Sequence, residues 1–219
     1  MEDKQLRHSL MRYFILIIAI FWAANASAQS SRYELDGGTL NFDMRAEDPK
    51  HEFTGQLEMY DSNEIAGYLF DYPEIKTLRI TGPGGFAPAA REIADKLIRF
   101  EINTIAFGEC NSACSTIFLA GKNRTLEPNA TLGFHRQWID KPREKKYYEA
   151  MRETKGWKDE FDYLGWVYDV LVDNLIKDIR FMESRGVNLD FISETLETDS
   201  YDMWKPTREE LLAGGVITQ

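Results

Sequence analysis

The chain predicts an α/β fold: a parallel β-sheet covered by helices, with a helical C-terminal third. Three observations carry that expectation. Between Lys76 and Phe134, strand-like segments alternate with helical ones, the β-α-β-α-β order of a parallel sheet. Two of those strands end in turns that open helices, at Gly82-Pro83-Gly84-Gly85 and at Cys110-Asn111-Ser112-Ala113-Cys114. From Trp157 onward, apolar residues recur at three- and four-residue steps, the period of a helix.

Taken in order, residues 1–28 predict an export signal rather than part of the fold. Lys4, Arg7 and Arg12 form a basic start, Tyr13 to Ala24 an apolar run, and Ala26-Ser27-Ala28 a small-residue cleavage site. An apolar run of about a dozen residues is short for a bilayer span. Cleavage after Ala28 would leave residues 29–219 as a single domain, long enough to bury a sizeable core.

Tyr33 to Arg45 reads as strands around the turn Asp36-Gly37-Gly38, and His51 to Leu57 as another strand. Asp61 to Phe70 has helical spacing through Ile65, Leu69 and Phe70. Lys76 to Thr81 is a strand. Ala87 to Glu101 is an amphipathic helix with Ala90, Ile93, Ala94, Leu97 and Phe100 on one face. Asn103 to Phe107 is a strand, Ser112 to Ala120 an apolar helix, and Arg124 to Leu126 and Ala130 to Phe134 are short strands. The charged segment Lys141 to Lys155 reads as a solvated stretch or flap. Trp157 to Arg185 predicts one helix of roughly 43 Å, closed by Gly186, either a core helix or one that protrudes onto a partner. Asn188 to Leu196 and Thr207 to Ala213 predict the last two helices.

The formal net charge is −10. An acidic domain repels phosphate backbones, which excludes nucleic acid as an expected partner and gives no support for an anionic membrane surface. Cysteine is limited to Cys110 and Cys114. In an exported chain that pair favours a disulfide over two buried thiols. A regular helix sets residues four apart too far for the bond, so the bridge demands a turn or distorted helix start under Ser112. A metal site is not expected, because Cys-x3-Cys with only His51 and His135 in residues 29–219 is a thin ligand set.

Ser112 falls at a predicted strand-to-helix junction, a place that exposes a hydroxyl at a helix N-terminus. The bland role for a serine there is an N-cap. A catalytic serine needs a base. His8 leaves with the signal and His51 precedes a different strand, so His135, closing the strand Thr131-Leu132-Gly133-Phe134-His135, is the better candidate. Gly84 and Gly85 end a strand and open a helix, where backbone amides converge on a developing charge, and the amide of Ala113 is the natural second donor. A carboxylate should orient the base. Asp199 and Asp202 both lie near the segment Tyr201 to Trp204, and the residues alone do not separate them.

These segments resemble the Clp protease proteolytic subunit and its relatives in the ClpP/crotonase superfamily. Phe53-Thr54-Gly55-Gln56-Leu57 looks like that family's first core strand, and Gly82-Pro83-Gly84-Gly85 like its Ser-Pro-Gly-Gly turn with Gly82 replacing serine. Ser112 to Gly121 looks like its nucleophile helix, and Gly133-Phe134-His135 like its histidine strand. The end, Asp202 to Trp204 with Glu209 to Ile217, looks like the closing Asp-x-Phe, helix and Gly-Leu-Val. The likeness runs from about residue 51 to 219.

The resemblance implies a serine hydrolase, most readily a peptidase acting on peptide or protein. Ser112 would be the nucleophile, His135 the general base, and Gly85 and Ala113 the oxyanion amides. Asp202 would be the orienting acid, favoured by its spacing to Gly214, whereas counting forward from Leu189 favours Asp199. No cofactor is implied. Cys110 and Cys114 depart from the family pattern, which has small residues and Met-Gly there. The export signal points to the periplasm and so away from the cytoplasmic ATPase on which the Clp subunit depends. Nothing before Tyr33 resembles the loops that dock it. A homo-oligomer is an expectation of the family, and a catalytically silent binding or assembly module on the same fold is the alternative.

Overall fold

A computed structural model describes residues 32–48, 55–137 and 139–218. The predicted export signal and most of the strand His51 to Leu57 lie outside the described residues. Among the described residues, no helix is long and apolar enough to cross a membrane.

Strands β1 (Tyr33–Asp36) and β2 (Thr39–Asp43) form a hairpin around Gly37, which takes a positive φ. Helix α1 (Met59–Asp71) follows, then β3 (Thr77–Gly82), α2 (Ala87–Arg99), β4 (Asn103–Asn111) and α3 (Ala113–Leu119). Strands β5 (Arg124–Leu126) and β6 (Thr131–Gly133) complete a six-stranded sheet. Only β1–β2 is antiparallel; β2, β3, β4 and β5 pair in parallel in that order. The chain therefore has the α/β fold that its alternating pattern predicts.

Two features of β4 position everything that follows. Its first half pairs with β5 and its last three residues, Glu109 to Asn111, pair with β6. Between the halves β4 bulges against β3: Ile80 pairs with Ala106, yet Gly82 pairs with Cys110. Gly108, at φ 58°, sits within the bulge. Thr81 Oγ1 donates to the Glu109 carbonyl across it at 2.9 Å. Bulges bend a strand and increase its twist. Here the bend carries Cys110 to Ser112 onto β6.

The buried core lies on one face of the sheet, where the alternating strand positions meet the first three helices. Ile65 and Leu69 of α1, Ala90, Ile93, Ala94 and Leu97 of α2 and Ile117 and Phe118 of α3 are buried with Leu40, Phe42, Leu78, Ile80 and Ala106 of the strands. Phe100, predicted on the apolar face of α2, is exposed, because the helix ends at Arg99 before the turn is complete. Arg32 is also buried. It donates to both carboxylate oxygens of Asp61, at 2.7 and 3.0 Å, and to the carbonyls of Met44 and Gln56 at 2.5 Å each. That set ties the first strand, the following loop and α1 to one charge.

The segment Lys141 to Lys155 is solvated as its charge predicts, with only Tyr148 buried, and it forms a helix, α4. Asp140 caps it, Pro142 stands in its first turn, and Gly156 ends it with a left-handed φ of 73°. Tyr147 and Tyr148 of α4 pack on Trp157 and on Tyr163 and Trp166 of α5 (Glu160–Ser184), so the two helices share an aromatic seam. Helix α5 starts at Glu160 because Asp159 accepts the first free amides. It is not a core helix: none of its 25 residues is buried, and Phe161, Leu164 and Tyr168 are 81%, 61% and 66% exposed. Only its C-terminal part, through Ile179, Phe181 and Met182, packs on the core. Helices α6 (Leu189–Glu197) and α7 (Arg208–Ala213) close the chain, α7 with a Thr207–Glu210 capping box.

Candidate active site

Ser112 stands between β4 and α3 with φ 55° and ψ −123°. A positive φ is uncommon for a residue with a Cβ and persists only where surrounding structure enforces it. Three elements do so. The Ser112 amide donates to the Gly133 carbonyl of β6 at 2.8 Å. The Ser115 hydroxyl reaches the Cys110 and Gly133 carbonyls at 2.8 and 2.9 Å, so it joins β4 to β6 beneath the turn. Cys110 and Cys114 form a disulfide across the turn, and both residues are fully buried. Cys110 lies in β4 and Cys114 in the first turn of α3, so the bridge spans a strand-helix corner, the distortion its spacing requires.

His135 follows β6. Its Nε2 is 2.7 Å from Ser112 Oγ. For the hydroxyl to donate in that bond, Nε2 must be the unprotonated nitrogen and Nδ1 must carry the ring hydrogen. Burial lowers the imidazole pKa below its ordinary value, and the nearby Arg136 backbone opposes that in part. The neutral form able to accept a serine proton is favoured.

The glycine turn closes on the same point. Gly84, at φ 95°, is so near the serine corner that a Cβ there would stand 2.8 Å from Ala113 N. Gly85 makes a parallel bridge to Leu57: Leu57 N donates to Gly84 O at 2.8 Å and Phe86 N to Leu57 O at 2.9 Å. Among the described residues, the amides of Gly85 and Ala113 donate no hydrogen bond. Arg143 of α4 lies over the Phe86 ring at 4.5 Å, which sets the start of α4 beside this turn.

Neither acid joins the pair. Phe134 and Trp204 exchange two backbone hydrogen bonds, an antiparallel bridge whose register brings Met203 opposite His135 and Asp202 one residue beyond. Asp202 is exposed and accepts the Met203 amide at 3.1 Å. Asp199 accepts the Tyr201 amide at 3.0 Å, the main contact holding its carboxyl below the usual range, and is also ion-paired to Arg136 at 2.5 Å. His135 Nδ1 is buried and has no hydrogen-bond partner among the described residues. The sequence reading missed Ser115 and Met203. Ser115 looks like one more small residue of an apolar helix, and Met203 is placed only by the distant Phe134–Trp204 bridge.

Among the described residues, no cluster of three or more His, Cys, Asp or Glu side chains is arranged to hold a metal ion.

A parallel sheet whose strand ends converge on a serine corner and a glycine turn defines an α/β protein with a site at the carboxyl edge of its strands. Comparison with solved structures places the chain in a particular version of that class, the ClpP-like fold. It matches a point mutant of ClpP1 from Listeria monocytogenes with a TM-score of 0.50 and 21% sequence identity, over 74% of this chain and 85% of that one. No family model matches the chain, and no curated protein does.

Proposed function

We propose that the protein is a serine hydrolase, most readily a peptidase, acting through an acyl-enzyme. The observation that carries this reading is the 2.7 Å approach of Ser112 Oγ to His135 Nε2 at a backbone corner that three separate elements enforce. His135 takes the Ser112 proton as Oγ bonds to the substrate carbonyl carbon. The carbonyl π pair moves to oxygen, and the Gly85 and Ala113 amides are the donors available to that oxyanion. The tetrahedral adduct collapses, the imidazolium gives its proton to the leaving amine, and the amine departs. Water then repeats the sequence on the ester and frees Ser112. Asp202 enters this scheme only if it leaves the Met203 amide and reaches His135.

The buried disulfide supports an oxidising compartment, and with the N-terminal signal pattern it supports export to the periplasm. The exposed stripe Phe161, Leu164 and Tyr168 on α5 supports a homo-oligomer, to be checked by light scattering of the unsubstituted protein and of Phe161→Glu.

The test is fluorophosphonate labelling, in which an activated serine oxygen displaces fluoride from phosphorus. Labelling of the purified protein, lost in both Ser112→Ala and His135→Ala, is the expected result. A folded protein that takes no label would refute the reading in favour of a silent binding module.

A further inference from the structure

The Ser112–His135 bond leaves a question on the other side of the ring. With Nε2 accepting from the serine, Nδ1–H is a buried donor, and no described residue accepts it. Buried polar groups without partners are costly, and few survive in folded proteins. Among the described residues, three buried side-chain atoms stand in this condition: Asn111 Oδ1, Thr131 Oγ1 and His135 Nδ1.

The three share one strip. β4 and β6 pair in parallel with Glu109 opposite Thr131 and Asn111 opposite Gly133. Side chains alternate along a strand, so Thr131, Gly133 and His135 occupy successive positions on the face that Asn111 shares. The glycine between them matters. A Cβ on Gly133 would collide with Asn111 Oδ1 and stand 2.7 Å from Met203 Sδ. The Asn111 amide therefore fills the gap that Gly133 leaves between Thr131 and His135. Diagonal neighbours on paired strands are roughly 8 Å apart at Cα, a gap that an amide and an imidazole span by side-chain torsion.

We propose that Asn111 is the residue that orients His135, its Oδ1 accepting the Nδ1–H of the neutral imidazole, so that the site is serine, histidine and amide rather than serine, histidine and carboxylate. The inference rests on the hydrolase reading above and names its third member. The amide is a positioning group: it fixes the tautomer whose Nε2 faces Ser112 and carries no charge to the ring. The rival acids are committed elsewhere. Asp202 is exposed on the Met203 amide, Asp199 is paired with Arg136, and Glu109, on the same face of β4, is paired with Lys205 at 2.7 Å and with Arg45. The Arg136 backbone stands near the ring but closes no hydrogen bond to Nδ1.

The test is the second-order rate of fluorophosphonate labelling against pH. Asn111→Ala is expected to slow labelling by roughly ten- to hundredfold, less than loss of the base itself, while Asp202→Asn stays within about twofold. Asn111→Asp sets a carboxylate against the imidazolium, raises the His135 pKa and moves the acid limb of the profile to higher pH. A merely structural asparagine would change melting temperature and leave the labelling rate of folded Asn111→Ala near that of the unsubstituted protein. Slow labelling in Asp202→Asn with Asn111→Ala unaffected overturns the proposal and leaves the hydrolase reading intact, since Ser112→Ala still abolishes the signal. Should the Asn111 variants not fold, or the unsubstituted protein take no label, nitrogen-15 spectra of His135 decide. A slowly exchanging Nδ1–H at neutral pH is expected, and an Nε2–H tautomer or fast exchange overturns the assignment.

Discussion

Gly84 lies against Ser112: a Cβ on the glycine would stand 2.9 Å from Ser112 Cβ, 2.8 Å from Ala113 N and 2.6 Å from Asn111 O. Two of those atoms are backbone of the serine corner and cannot rotate away. The glycine also holds φ 95°, where a side chain is strained whatever the space. Gly84→Ala should therefore push the glycine turn and the corner apart. The expected result is destabilisation of about 2 kcal/mol or more and loss of fluorophosphonate labelling, read by thermal melting beside labelling rate. A variant that melts and labels like the unsubstituted protein would show that the two segments do not press on each other.

Ser112 holds its positive φ at a cost that removing its side chain should reveal. Ser112→Ala keeps a Cβ in the strained conformation, and Ser112→Gly does not. Both abolish labelling. The glycine variant should nonetheless be the more stable of the two, by about 1 kcal/mol in denaturant unfolding. Equal stabilities would mean that the corner relaxes once the hydroxyl is gone.

The pH dependence follows from burial of His135, which lowers its pKa below the ordinary value of about 6.5. Between that value and the lower folded one, the unfolded chain binds a proton that the folded chain refuses. Stability should fall as pH drops through this window, and the contribution should disappear in His135→Ala. The acid limb of the labelling profile should likewise lie below a pH of about 6.5, because the neutral base persists to lower pH. A limb above that value would require a negative charge at the imidazole and would point back to Asp202.

The sheet was legible because its strands carry β-branched and apolar runs and its turns carry glycines. Thr77 to Gly82 and Asn103 to Asn111 pair in parallel, and Ser112 with His135 meet at their ends, as motif order alone suggested. What sequence could not show is set by long-range packing. The β4 bulge at Gly108 turns Cys110 onto β6, and no local pattern predicts a two-residue register shift. The Lys141 to Lys155 helix was hidden by its charge, since its stability comes from caps and from tyrosines that meet Trp157 only after the chain reverses. The acid was legible only as a choice between Asp199 and Asp202. Which one faces the imidazole depends on the Phe134–Trp204 bridge, and its register sets Met203 there instead.

The Cys110–Cys114 bridge closes a five-residue loop that contains the serine. On the loop-entropy relation so short a ring contributes about 2 kcal/mol to stability, a modest share for a domain of this size. Its greater effect is local. The bridge ties the last residues of β4 to the first turn of α3, and Ser112 is the middle residue between its ends. Both cysteines are fully buried, so reductant should act only through opening of the corner. Three outcomes are expected together. Native protein should resist thiol titration under mild reductant. Cys110→Ala combined with Cys114→Ala should lose about 2 kcal/mol in denaturant unfolding. The same double variant should label several-fold more slowly even at temperatures where it is fully folded, because the backbone amides of Ser112 and Ala113 are no longer held at one angle to His135. A folded double variant that labels at the unsubstituted rate would reduce the bridge to a stabiliser, leaving the Ser115 hydroxyl and the Gly84 contact to hold the serine in place.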